Sequence, residues 1–212
     1  MRLDHVSYAT HATHLADEVQ RIGSRLQRPF VDGGIHPRFG TRNFVLPLGG
    51  RNYVEVVAAL DHPAAEQAPF GQAVHERAEQ GGGWLGWVVA VDDLAPFETR
   101  VGRASVEGHR VRPDGHDLCW RQLGVNDLRA EPYLPFFIHW EGDPDDHPGA
   151  GGADVPRLHS LCLAGDVERT AAWLGADPAH LLDGIGLEWA TDTQPGLVSV
   201  TFDTACGLVT ID

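Results

Sequence analysis

Two residues able to do chemistry stand fifty positions apart, each in the middle of an apolar strand. His5 lies in LDHVSYA (residues 3–9) and Glu55 in NYVEVVAAL (residues 52–60). Alternate residues of a strand share a face, so His5 groups with Leu3, Ser7 and Ala9, and Glu55 with Tyr53 and Val57. An imidazole or carboxylate left unpaired among such neighbours costs several kcal/mol. A divalent cation held by both side chains would remove that cost. A mutual hydrogen bond plugging the core would remove it equally well, and the residues alone leave both readings open.

Those residues need elements to position them, and the chain supplies the same set more than once. HATHLADEVQRIGSRL (11–26) has helical periodicity, and FVDGGIHP, RNFVLPL and NYVEVVAAL are strand-like. The order returns from Trp84, with WLGWVVAVDDL as strand, APFETRVGRAS as helix, and HRVRP, DLCWRQLGV and LPFFIHWEG as strands. A weaker third copy runs from Arg157 through RLHSLCLAG, VERTAAWLG, GLEWA, LVSVTFD and GLVTID. Such repetition predicts an α+β protein built from duplicated β-α-β-β-β units: residues 1–62, 84–143 and a partial unit at 157–212.

Paired β-α-β-β-β units with His on the first strand and Glu on the fourth resemble the vicinal oxygen chelate superfamily of glyoxalases, extradiol dioxygenases and bleomycin- and fosfomycin-resistance proteins. Within it, GTRNFVLPLGGRNYVEVVAALDHP (40–63) and LPFFIHWEGD (134–143) look like the glyoxalase-like domain family. The resemblance covers residues 1–150. It implies a half-barrel cleft with a metal between two modules, each offering its first and fourth strands. Aligning WLGWVVAVDDL on LDHVSYATHAT puts Gly86 at the place of His5, so the second module lacks that ligand, and glyoxalase activity proper is not expected. His139 takes the inward place on the last strand, with Glu141 two residues on and on the same side. The resemblance therefore implies His5, Glu55 and His139 as ligands of Fe(II), Mn(II) or Zn(II). Glu141, or a metal-bound hydroxide, would be the base. The expected function is a lyase, isomerase or dioxygenase acting on a small oxygen-rich molecule. The alternative is a metal-free protein that binds or sequesters a drug-like compound.

Aromatic and polar residues on the expected strands suggest what such a cleft would hold. Tyr53, Trp87, Trp120 and Trp140 could line it, and Arg42 and Asn43 could hold polar substrate groups. For a single tryptophan, core packing is the plain alternative; for Arg42, an exposed strand end. His11 and His14 open the first helix, and His36 falls in a loop or strand near the cleft mouth. His62, His75, His109, His116, His147 and His180 read as surface residues in polar or Pro/Gly-rich surroundings. His159 and Asp212 occupy the places of His5 and Glu55 in the third unit, where a second polar site is a speculation.

Composition narrows the chemistry further. The chain of 212 residues contains no lysine, which excludes Schiff-base catalysis, a pyridoxal phosphate anchor and a P-loop. The formal charge of −14 argues against nucleic-acid binding. GGGWLG (81–86) matches GxGxxG by letter but follows a helix and enters a strand, the reverse of a dinucleotide site, and reads as a helix cap and linker. Three sparse cysteines, no long apolar run and no leader pattern point to a cytoplasmic protein. EGDPDDHPGAGGADVP (141–156) is a linker by composition. The odd third unit, left without a pair, points to a homodimer.

Overall fold

The computed structural model describes residues 1–112, 115–151 and 156–212. The first stretch contains β1 (Arg2–Ala9), α1 (Leu15–Leu26), β2 (Val31–His36), β3 (Thr41–Pro47), β4 (Tyr53–Ala59), α2 (Pro63–Gln67) and α3 (Pro69–Glu79). There follow β5 (Gly83–Ala90), α4 (Ala95–Val101), β6 (Val106–Val111), β7 (Asp117–Leu123), α5 (Val125–Ala130) and β8 (Phe136–Glu141). The chain ends with β9 (Arg157–Ala164), α6 (Val167–Leu174), β10 (Gly186–Trp189), β11 (Gly196–Thr204) and β12 (Gly207–Ile211). No helix among the described residues is long and apolar enough to cross a membrane.

Eight strands close into a barrel in the order β1-β4-β3-β2-β6-β7-β8-β5. Residues 2–59 and 83–141 each contribute four neighbouring strands, and β1 pairs antiparallel with β5 along most of its length. The opposite seam, between β2 and β6, is a single bridge at Ile35 and Val111. The sheet thus goes further than the half-barrel expected. Strand alternation separates two cores. Val6, Val54, Val56 and Phe137 point outward to α1, α4 and the C-terminal unit, whereas Val57, Val88, Phe136 and Ile138 pack inside with Phe70 of α3 and Leu128 of α5.

Local chemistry explains most element boundaries. Leu15, Ile22 and Leu26 put an apolar stripe on the buried side of α1, which ends where Gln27 turns left-handed at φ 56°. α4 stops at Val101, because Gly102 takes φ 70°, four residues before the end of the sequence pattern. α5 was not expected, since DLCWRQLGV reads as strand through Val125. Gly124, at φ 106°, breaks the strand; a Cβ there would sit 2.9 Å from the Trp173 ring. Pro113, the last residue of the expected strand HRVRP, and residues 152–155 of the expected linker lie outside the described residues.

The C-terminal unit is not a third copy of the first. Its sheet runs β10-β9-β11-β12, so its opening strand pairs with the second and third strands, whereas β1 pairs with β4. His159 and Asp212 are exposed, and β11 separates β9 from β12, so the speculative second polar site does not form. The unit's apolar face, with Leu161, Val200, Phe202 and Trp173, shares one core with the barrel exterior. Trp84 Nε1 donates to the Ile211 carbonyl at 2.9 Å, and Trp173 Nε1 to that of Pro135 at 2.8 Å. With that face covered by its own chain, the argument for association from an unpaired unit does not hold.

Because the unit and the barrel share one core, damage to the first should register in the second. Phe202→Ala is expected to cost about 3–5 kcal/mol. Urea unfolding followed by tryptophan fluorescence should keep a single transition at a lower midpoint; two separated transitions would show that the unit folds independently.

Candidate functional site

Inside the barrel, His5, His36, Asn43, Glu55, Arg110 and Trp120 face a cavity of about 30 Å³ whose remaining wall is largely aromatic and aliphatic. His5 reaches it through an irregularity in β1. Leu3 pairs with Val89 and His5 with Val88, so Asp4 is an extra residue opposite no partner on β5. The bulge lets two consecutive side chains, Asp4 and His5, turn away from the outer core. Asp4 Oδ1 then lies 2.7 Å from His5 Nδ1. The imidazole is also stacked on Tyr53, with ring centroids 4.4 Å apart and planes at 17°.

Asp4 is fully buried. Besides His5, its Oδ2 accepts from Trp140 Nε1 at 3.1 Å and meets His147 Nε2 at 3.0 Å. Burial alone would raise its pKa, but hydrogen bonds and charge from His147 and His5 outweigh that and hold it well below the usual carboxylate range. An ionised carboxylate can only accept, so His5 carries its hydrogen on Nδ1. Its Nε2 lies 4.0 Å from Glu55 Oε2.

Glu55 is buried and doubly held: Ser7 Oγ donates to Oε2 at 2.7 Å and Asn43 Nδ2 to Oε1 at 2.6 Å. Burial pushes its pKa up, but His5 and His36 and these hydrogen bonds more than reverse the shift, leaving it ionised. Asn43 in turn accepts from Arg110 at 3.0 Å. Arg110 is 3 % exposed, burial lowers its pKa, and its Nε has no hydrogen-bond partner. His36, also buried, meets Thr41 Oγ1 through Nδ1 at 2.9 Å and lies edge-on to Trp120. Burial and the nearby cations pull its pKa down to about 4 despite Glu55.

Of the residues singled out from sequence, the fold brings His5, His36, Asn43, Tyr53, Glu55, Trp120 and Trp140 to this cavity and leaves Arg42, Trp87, His139 and Glu141 outside it. His139 is the main correction. Ile138 and Trp140 take the inward places on β8, so His139 faces out, its Nδ1 3.0 Å from the Val91 carbonyl. Glu141 shares that outer face and is exposed, which removes it as a base within the cavity. Trp87 is fully buried in the outer core and donates to the Tyr133 carbonyl. Arg42 is half-exposed, pairs with Asp32 at 2.6 Å and covers the Phe44 ring.

The sequence reading missed Asp4, Arg110, Gln122 and His147. Arg110 and Gln122 were legible in principle, because Gly108 and Arg110 on β6, like Trp120 and Gln122 on β7, repeat with a strand's period of two. Gly108 is required there, since a Cβ would come within 2.4 Å of the Trp120 indole. Asp4 was masked by the bulge. His147 belongs to the segment expected to be a linker; instead residues 142–151 fold over the barrel with a turn at Pro144–Asp146, tied down by Arg51 to Asp145 at 3.0 Å and His116 to Asp146 at 3.0 Å.

A resident metal of the superfamily kind does not fit this donor set. With His139 facing out, β8 offers the cavity Phe136, Ile138 and Trp140, and at Gly86 a Cβ would press on Leu128 Cδ1 at 2.8 Å. Both Glu55 oxygens already accept hydrogen bonds. Among the described residues no three His, Cys, Asp or Glu side chains converge as a metal site would require.

Residues 3–179 match the glyoxalase-like domain, and the chain belongs to that family and with it to the vicinal oxygen chelate superfamily. Among solved structures, it is similar to a hypothetical protein from Staphylococcus aureus, with a TM-score of 0.64 at 14% identity over 100% of this chain and 85% of that one. It also matches methylmalonyl-CoA epimerase from Mycobacterium tuberculosis, with a TM-score of 0.44 at 18% identity over 68% of this chain and 89% of that one. The Streptomyces coelicolor methylmalonyl-CoA epimerase in complex with 2-nitronate-propionyl-CoA matches with a TM-score of 0.45 at 16% identity, over 67% of this chain and 99% of that one. No curated protein matches the chain.

The neutral, buried state of His36 makes stability depend on pH. The unfolded chain protonates this residue near 6.5 and the folded protein only near 4, so its contribution is complete above pH 6.5 and is lost as pH falls toward 4. The loss amounts to about 3 kcal/mol. Asp4 and Glu55, whose pKa values are also depressed, act on the acid side of that window. The denaturation midpoint of wild type should therefore fall more between pH 7 and pH 4.5 than that of His36→Gln; parallel curves would contradict the burial argument.

Proposed function

We propose that this protein is a proton-transfer enzyme of the isomerase or lyase type, acting on a small oxygen-rich carbonyl compound with His5 as its base and without a resident metal. One observation carries the reading: a buried imidazole, fixed by Asp4 on one nitrogen and stacked on Tyr53, turns its other nitrogen into a cavity beside an ionised glutamate. His5 Nε2 takes a proton from the carbon next to the carbonyl, and the imidazolium so formed lies between the Asp4 and Glu55 carboxylates. Arg110 faces the negative charge that develops on the substrate oxygen. His5 then returns the proton to the same carbon or its neighbour. Asp4 acts as an orienter, and Glu55 steadies the imidazolium with an oxygen held by Ser7.

The metal-free sequestering protein is the second reading, favoured by the aromatic wall of Trp120 and Trp140, whose rings lie 5.4 Å apart. The two differ in what happens to a bound molecule's α-hydrogens. Proton NMR in deuterated buffer, with a panel of small aldehydes, ketones and oxo acids, should show enzyme-dependent exchange in at least one member. His5→Gln should slow that exchange by about 10²–10⁴-fold, the usual contribution of a general base. Chelator should leave the wild-type rate unchanged. Exchange that survives in His5→Gln, or that chelator abolishes, would sink the reading; binding without exchange across the panel would favour sequestration.

A further inference from the structure

The buried guanidinium of Arg110 has more capacity than its surroundings use. Among the described residues its side chain bonds Asn43 Oδ1 at 3.0 Å, and Nε is buried without a partner. Glu55, the carboxylate nearest along this chain of contacts, reaches it only through the Asn43 amide, and both Glu55 oxygens are taken by Ser7 and Asn43. A buried cation lacking a directly bonded anion is costly, and a planar fork of N–H donors is best satisfied by a planar two-oxygen anion. Resting on the reading of this cavity as a substrate site, we propose that Arg110 binds the carboxylate of a short-chain carboxylic acid, so that the substrate is an oxo acid whose carboxylate lies on Arg110 and whose hydrogen-bearing carbon next to the oxo group lies toward His5.

Shape and charge agree on the class. The cavity of about 30 Å³ has room for roughly two water molecules, so a two- or three-carbon acid is the most it admits without side-chain movement. Phe39, Phe70, Phe136 and Ile138 supply an apolar wall for the carbon end. A phosphate, which would bring a second negative charge beside Glu55, does not fit the charge of the site. Glu55 tolerates a further monoanion because its own charge is already met by two hydrogen bonds.

The test measures binding, independently of turnover. In a carboxylate-free buffer at fixed ionic strength, the thermal midpoint and calorimetric affinity of wild type are recorded with acetate, propionate and glyoxylate, and with acetamide, propionamide and chloride as controls. Carboxylates should raise the midpoint saturably and the controls should not. Arg110→Gln should weaken carboxylate binding by about tenfold or more, and Arg110→Lys, which keeps the charge but loses the fork, by less. Equal responses to acetate, acetamide and chloride in wild type would overturn the proposal even if neither variant folds, as would full carboxylate affinity in a folded Arg110→Gln. The wild type separates the two readings: carboxylate binding in a wild-type protein that catalyses no exchange supports the Arg110 assignment while removing the proton-transfer function, and His5→Gln should keep the binding in either case.

Discussion

The rest of the site depends on keeping one negative charge, that of Asp4, in the interior. A carboxylate removed from water is tolerated only when donors replace its hydration. Here three come from separate parts of the chain: His5 next to it on β1, Trp140 on β8, and His147 in the segment after β8. Meeting that demand orients His5, fixes its tautomer and pulls residues 142–151 over the barrel. The bulge in β1 makes this arrangement possible, because in a regular strand consecutive residues point to opposite faces.

Barrel closure sets the second condition. Eight strands leave an interior that side chains nearly fill, and α3 and α5 add Phe70 and Leu128 to the same interior core. What remains is a small polar chamber with an aromatic wall. Burial strengthens each electrostatic contact within it, so the ionised Glu55, the charged Arg110 and the neutral His36 can coexist within a few side chains of one another. The chain from Ser7 to Glu55, Asn43 and Arg110 crosses β1, β4, β3 and β6 and so ties the two strand sets together near their thinnest seam.

The C-terminal unit supports this architecture from outside. It covers the outer face of β1 and β5 through Leu161, Val200 and Phe202, and buries the tryptophans Trp84 and Trp173 with their N–H groups satisfied by backbone carbonyls. The strands that carry His5 are thus packed on both faces. Rigid support of this kind allows a base to hold its direction while its protonation changes.

Much of this was legible in the chain itself. Alternation and helical periodicity identified the strands that carry His5 and Glu55, because both signals are local. Asn43, Tyr53 and Trp120 were placed in the cleft for the same reason. Where the reading failed, a non-local cause intervened. The bulge at Asp4 and the inward register of Ile138 and Trp140, which turns His139 and Glu141 outward, depend on pairing with strands far away in sequence; a shift of one residue exchanges the faces. The order β10-β9-β11-β12 and the folding of 142–151 over the barrel likewise depend on which apolar face and which buried charge need cover. The sequence by itself determined that a histidine and a glutamate would sit on apolar strands and need partners. Only the tertiary structure decided that those partners are Asp4, Ser7 and Asn43 rather than a third metal ligand, because partner choice is settled by register and closure, which no single stretch of sequence encodes.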